Sequence, residues 1–270
     1  MKLRDKVFVV TGGGNGIGRE VVLELLARGA RVAAVDLRQA GLDETLGLAG
    51  TNAPRLSTHA VDVADRAAVA ALPAAVEAAH GAVDGLLNVA GIIQRFVPVA
   101  DLDFADMEKV MAVNFWGVVN TTKAFLPVLL TRPEACLVNV SSMGGFAPVP
   151  GQTVYGASKA AVKLFTEGLY AELRGTPVAV TVVFPGGVAT GITENSGVAM
   201  PGGAAAEEAG SSMSMTTATA AARQILTGIE KGSYRVVIGR DARGLDAMTR
   251  LAPQRATDFV AKKMASLLGR

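Results

Sequence analysis

The sequence predicts an α/β fold: a doubly wound parallel sheet of about seven strands with helices on both faces. Three observations carry this. Short β-branched runs alternate with Ala- and Leu-rich stretches of helical period along most of the 270 residues. The strand runs are almost continuously apolar, as parallel strands covered on both faces must be. No linker or internal repeat divides the chain, so residues 1–270 are expected to form one domain.

The elements follow in order. "KVFVVT" (Lys6–Thr11) reads as the first strand, and "TGGGNGIG" (Thr11–Gly18) turns into a helix from Gly16 to about Arg28. That helix places Val21, Val22, Leu25 and Leu26 on one face. Arg31–Asp36 is the second strand and Leu56–Val63 the third. Asp65 caps a helix running to about Ala79. Val83–Val89 is the fourth strand, Asp103–Thr131 a long helix, and "ACLVNVSS" the fifth strand. Val154–Arg174 is a second long helix, "PVAVTVVFPGG" the sixth strand and Tyr234–Gly239 a short seventh. Residues 190–222, rich in Gly, Ala, Ser and Met, interrupt the rhythm after the sixth strand. They are expected at the carboxyl edge of the sheet, where open α/β sheets bind ligands, as a substrate loop or lid. Residues 241–270 read as a helical extension broken at Pro253, which closes over the pocket, meets a sister subunit or touches a membrane surface.

Composition excludes several classes. Half of the residues are hydrophobic and 19% are charged, so the chain is not disordered. Lys and Arg number 26 against 24 Asp and Glu, and no basic cluster stands out, so nucleic acid is not expected as a partner. The one cysteine, Cys136, excludes an intramolecular disulfide and agrees with a reducing compartment. The uncharged stretches Ala135–Ser158 and Gly175–Thr193 contain glycines and prolines that a lipid-facing helix would not carry. The start has no apolar run long enough for a signal peptide. A cytoplasmic protein without membrane insertion and without a metal is expected.

The glycine turn suits a dinucleotide. Gly12, Gly16 and Gly18 let a backbone approach a pyrophosphate, and the helix start offers free N–H groups and a positive dipole end. Asp36 ends the second strand, 18 residues past Gly18, where a carboxylate hydrogen-bonds an adenosine ribose diol and repels a 2′-phosphate. NAD is therefore the expected cofactor, with Arg19 and Arg38 as nearby cations that keep NADP open. Asp62 and Val63 suit the adenine, and "NVAG" (Asn88–Gly91) ends the fourth strand at the same edge.

"VYGASKAAV" places Tyr155 and Lys159 four apart on one helix face. An ammonium beside a phenol favours the phenolate and lowers its pKa, which suits proton exchange with an alcohol or ketone. An isolated Y-x-x-x-K is a short pattern, and by itself is more often a surface pair. Here Ser142 ends the fifth strand at the same sheet edge, 13 residues earlier, and Asn114 stands in the middle of an apolar helix.

With these residues together, the chain resembles the short-chain dehydrogenase/reductase family, in its single-domain, Rossmann-like branch. Thr11–Gly18 resembles the family's TGxxxGxG turn, and Asn88–Gly91 its NNAG segment with Val89 in place of the second Asn. Asn114, Ser142, Tyr155 and Lys159 match its Asn–Ser–Tyr–Lys tetrad, and "FPGGVAT" (Phe184–Thr190) its PGxVxT segment. The resemblance covers roughly residues 5–240 in order. It implies that Tyr155 is the general acid/base, that Lys159 tunes it and binds the nicotinamide ribose, and that Ser142 holds the substrate oxygen. It implies that Asn114 helps hold a water linking Lys159 to solvent. Gly12, Asn15, Gly16, Ile17, Gly18, Asn88, Ala90, Gly91, Pro185, Gly186, Val188 and Thr190 are then expected on the cofactor. A dimer or tetramer is implied as well, with homotetramer the expected form.

The substrate pocket is read from residues that follow the tetrad: Ile92, Ile93, Gln94, Gly144, Phe146, Val149 and Gln152, with Ile192, Val198, Met200, Met213 and Met215 from the lid. Of these, Gln94, Gly144, Gln152 and Met200 are expected to touch the substrate. The mostly apolar set suits a lipophilic or cyclic secondary alcohol, steroid-like members included. The expected activity is NAD-dependent interconversion of such an alcohol and its ketone, running as oxidation. Two other readings stand beside it: an NADPH-dependent 3-oxoacyl thioester reductase, and a non-catalytic dinucleotide-binding regulator.

Overall fold

A computed structural model describes residues 1–198 and 215–265. Met200 and Met213 of the lid, and Leu267 and Leu268 of the carboxyl-terminal extension, lie outside the described residues. Seven strands form one parallel sheet in the order β3-β2-β1-β4-β5-β6-β9. They are β1 (Val7–Thr11), β2 (Arg31–Asp36), β3 (Leu56–Ala60), β4 (Gly85–Asn88), β5 (Ala135–Val140), β6 (Val178–Pro185) and β9 (Arg235–Ile238). Two short strands, β7 (Val188–Ala189) and β8 (Thr216–Thr217), pair beside it.

Each inner strand feeds two cores. Phe8 and Val10 of β1 face one core while Val7 and Val9 face the other. β5 divides in the same way, Val138 and Val140 against Ala135 and Leu137. This alternation is why the strands read as continuous apolar runs. Helices α1 (Gly16–Ala27), α2 (Gln39–Ala49) and α8 (Ala218–Glu230) cover the first core. Helices α3 (Arg66–His80), α5 (Gly117–Leu130) and α6 (Thr153–Glu172) cover the second.

The long helix expected over Asp103–Thr131 is not uniform. It comprises α4 (Phe104–Met111), a π-helical turn over Ala112–Trp116, and α5. The wide turn carries Asn114, consistent with the tendency of π-bulges to sit at functional sites. The third strand stops at Ala60 rather than Val63, because the Asp62 carboxylate accepts from the Ala64 N–H and turns the chain. The fourth and fifth strands are also shorter than expected, ending at Asn88 and Val140. Helix α2 was not anticipated. Gly41 weakens its pattern, yet a Cβ there would lie 2.9 Å from the Gly14 carbonyl oxygen, so the glycine serves a close approach. The lid contributes α7 (Ile192–Ser196), and the carboxyl-terminal extension forms α9 (Arg240–Leu251) and α10 (Pro253–Lys263). Proline at the first position of α10 accounts for the break at Pro253.

The floor of the sheet is held by Asp84, which is buried. Its carboxylate accepts from the Val7 N–H at 2.9 Å and pairs with Arg132 Nε at 2.9 Å and Lys6 Nζ at 3.5 Å. Asp84→Ala leaves that N–H buried and unpaired. We expect a loss of about 3 kcal/mol, read as a lower urea midpoint, with cofactor affinity unchanged.

Candidate active site

Between β1 and β4 the strand order reverses, and a cleft of about 520 Å³ opens there at the carboxyl edge. Thr11, the last residue of β1, ties its two rims. Its hydroxyl accepts from the N–H groups of Val89 at 3.0 Å and Ala90 at 3.2 Å. Gly12 (φ +72°) passes so close that a Cβ would lie 2.9 Å from the Ala90 backbone.

Gly12, Asn15, Gly16, Ile17 and Gly18 form one end of the cleft. Asn15 makes no side-chain bond to α1, so the first N–H groups of that helix lack an intrahelical partner there. Asp36, Asp62 and Val63 line the adjoining end. The Asp36 carboxylate accepts from the Gly14 N–H at 3.0 Å and the Arg38 N–H at 3.1 Å, which fixes it against the glycine turn. Arg19 is engaged by Glu44 at 2.6 Å and Thr45 at 3.1 Å, and Arg38 by Asn195 of α7. Ala90 and Gly91 lie in the middle, with Pro185, Gly186, Val188 and Thr190 also on the cleft. Thr190 stands 3.4 Å from where a Gly16 Cβ would be. A free helix start, a glycine cradle and a carboxylate at the end of β2 fit a dinucleotide.

Asn88, Gln94 and Phe146 differ from expectation, as do Val198 and Met215, which lie off the cleft lining. Asn88 is buried beneath the cleft, donating to Asn139 at 2.9 Å and accepting from Thr121 at 2.8 Å, so it braces β4 against β5. Asn114 is fully buried and bonded to the N–H and the carbonyl of Ile92 at 2.8 and 2.9 Å and to Ser158 at 3.0 Å. Gln94 is 2% exposed and turned under α6 instead of into the pocket. Phe146 turns away to pack at a tilt against Phe184, ring centres 5.4 Å apart, beside Arg235.

Tyr155, Lys159 and Ser142 do share the cleft, with Gly144 and Gln152. Ser142 follows β5, and its hydroxyl accepts from the Gly144 N–H at 3.0 Å, which starts a short turn over Met143–Gly145. A Cβ on Gly144 would lie 3.4 Å from the Tyr155 ring, so the small residue makes room for it. Lys159 is 4% exposed and donates to the Val140 carbonyl at 3.1 Å, with its ammonium 6.0 Å from the Tyr155 ring centre. Gly91 clears space on the other side, since its Cβ would lie 3.1 Å from Lys159 Nζ and 3.3 Å from Asn114 Oδ1.

The electrostatics correct one expectation. Burial pushes the Tyr155 phenol above its ordinary pKa, and the hydrogen-bonding Ser142 hydroxyl pulls it partway back. Burial and Ser142, not Lys159, set that balance, and burial pushes the Lys159 ammonium itself down to about 8. The phenol is therefore a proton-bearing group at neutral pH.

Several lining residues lacked a sequence signal: Phe96, Met143, Ser196 and, from the end of α10, Met264. Ser196 accepts from the Ile93 N–H at 3.0 Å, joining the lid helix to the pocket wall. Met264 lies in the carboxyl-terminal extension, and its reach to the cleft depends on how α9 and α10 fold back. Among the described residues no helix is long and apolar enough to cross a membrane.

The comparisons agree with this geometry. The family model described as short chain dehydrogenase matches residues 6–200. The provisionally named oxidoreductase SadH of Mycobacterium tuberculosis is 39% identical over 264 residues, covering 96% of this chain and 95% of its own. A short-chain dehydrogenase/reductase from Burkholderia phymatum, solved with NAD, superposes with a TM-score of 0.84 at 27% identity, over 94% of this chain and 95% of its own. A short-chain dehydrogenase from Burkholderia cenocepacia, solved with NADP, gives a TM-score of 0.80 at 26% identity over 98% and 99%.

Proposed function

The chain belongs to the short-chain dehydrogenase/reductase family, and from that premise we propose that it is an NAD-dependent oxidoreductase interconverting a secondary alcohol and its ketone. The observation that carries this is the convergence of Tyr155, Lys159 and Ser142 on one cleft with the glycine turn and Asp36. A bound nicotinamide dinucleotide supplies the hydride acceptor or donor.

The chain's own residues do the rest. Ser142 orients the substrate oxygen beside the Tyr155 phenol. Tyr155 gives its proton to the forming alkoxide during ketone reduction and takes it back during alcohol oxidation. The buried Lys159 stands behind it as the charge that stabilises the phenolate once formed. Burial holds the phenol protonated at neutral pH, so the rate of alcohol oxidation, which needs it as a base, is expected to rise with pH. The apolar wall of Ile92, Ile93, Phe96, Val149, Ile192 and Met264 supports a lipophilic or cyclic substrate. The exposed Trp116 and Leu164, beside packed helices, suit assembly into a dimer or tetramer.

Asp36 supports NAD, since a 2′-phosphate beside a fixed carboxylate is repelled. We expect kcat/KM for NAD to exceed that for NADP by at least about ten-fold, on the order of 1.4 kcal/mol. Asp36→Asn keeps an acceptor for the Gly14 N–H and removes the charge, so it shifts the ratio toward NADP by a similar factor. The activity itself is tested on a panel of aliphatic, cyclic and steroid secondary alcohols and ketones, following NADH absorbance. Turnover of none of them overturns the lipophilic-alcohol assignment.

A further inference from the structure

Helix α6 begins at Thr153 without a cap of its own. Gln152 at its N-cap position makes no side-chain bond to the helix, so the first N–H groups need partners from elsewhere. The Tyr155 N–H finds one across the fold: it donates to Gln94 Oε1 at 2.9 Å. Gln94 Nε2 in turn donates to the Gly151 carbonyl at 3.1 Å, and Gln152 Nε2 donates to the Gln94 carbonyl at 2.7 Å. Both glutamines are buried, at 2% and 3% exposure. Their amide orientations are fixed by these partners, because the atom facing a carbonyl must be the NH₂ group.

The loop that carries Gln94 is itself pinned. Asn114 bonds both backbone groups of Ile92, Ser196 holds the Ile93 N–H, and Arg95 is gripped by Asp103 at 2.6 Å and Asp106 at 2.8 Å. Gln94 is thus a rigid link from the end of β4 to the first turn of α6. It lies outside the cleft lining, so it is not placed to touch substrate or nucleotide. Its bond falls on the backbone of the residue whose phenol must meet the reacting oxygen.

We propose that Gln94 is a positioning residue: it sets the first turn of α6 and so fixes the Tyr155 phenol against Ser142. This rests on the reading of Tyr155 as the acid/base. A misplacement near 1 Å at a reacting group costs about 10²-fold in rate.

The test compares Gln94→Met, which keeps the size and removes both polar roles of the side chain, with Gln94→Glu, which as a buried neutral acid keeps an acceptor for the Tyr155 N–H and an O–H for the Gly151 carbonyl. Both are assayed with NAD and the fastest alcohol of the panel above, and NADH affinity is measured by fluorescence titration. Gln94→Met is expected to lose about 10- to 100-fold in kcat, with NADH affinity within about two-fold of the parent. Gln94→Glu is expected to recover at least about three-fold of that loss, because its neutral acid restores the acceptor and places an O–H on the Gly151 carbonyl. Full kcat in Gln94→Met, an equal loss of NADH affinity and kcat, or a Gln94→Glu no better than Gln94→Met overturns the positioning role. Tyr155→Phe run in parallel separates the two claims. An inactive Tyr155→Phe beside a fully active Gln94→Met overturns the positioning role alone. An active Tyr155→Phe overturns the acid/base reading beneath it.

Discussion

Tyr155→Phe is expected to lose about 10³-fold in kcat, the middle of the range that a positioned proton carrier supplies. The substitution removes one oxygen and leaves the ring where Gly144 makes room for it. Cofactor affinity and the thermal midpoint should therefore stay close to the parent's. The burial that raises the phenol's pKa even predicts little loss of stability, because the apolar ring gains from the same surroundings. Steady-state kinetics with NADH titration and a melting curve check all three quantities on one preparation.

Lys159→Met is expected to move activity and stability in opposite directions. At neutral pH the parent holds an ammonium at 4% exposure, with the Val140 carbonyl as its hydrogen-bond partner. Its folded pKa, about 8, lies below the ordinary 10.5. Between those values the unfolded chain holds a proton that the folded chain lacks, so the contribution of this group to stability rises with pH across that window and is lowest below pH 8. Cys136 acts in the opposite sense from about pH 9, since burial pushes its thiol up to about 12 and the unfolded thiolate is favoured first. The two effects overlap above pH 9, so the effect of Lys159 is isolated between pH 8 and 9. Lys159→Met removes the buried charge and should gain on the order of 2 kcal/mol at pH 7, after the lost Val140 bond, with a smaller gain at pH 9. Its kcat should fall by about 10²-fold or more, because the phenolate loses its neighbouring charge. Urea midpoints at pH 7 and pH 9 give the first result, and a variant less stable than the parent at pH 7 contradicts it.

The fold was legible because a doubly covered parallel sheet writes itself as apolar strands between amphipathic helices. The catalytic helix was legible for a local reason: Tyr155 and Lys159 need only the i, i+4 spacing to share a face. What remained hidden depends on contacts distant in sequence. Gln94 read as a pocket residue because it follows the "NVAG" segment, yet its side chain satisfies a helix start 61 residues away. Asn88 read as a cofactor contact, yet a buried amide needs partners, and Asn139 and Thr121 take it below the cleft. The raised phenol pKa was hidden too, since spacing puts Lys159 near Tyr155 but says nothing about how deeply each is buried. Met264 reaches the cleft from the far end of the chain through the fold-back of α9 and α10, a geometry with no local pattern.

The pH dependence of kcat/KM for alcohol oxidation, compared between the parent and Tyr155→Phe, tests the proton-carrier assignment most directly. The parent's rate is expected to rise with pH as the phenol loses its proton, and that of Tyr155→Phe to be about 10³-fold lower without that rise. A Tyr155→Phe profile that keeps the parent's rate and its rise with pH contradicts it.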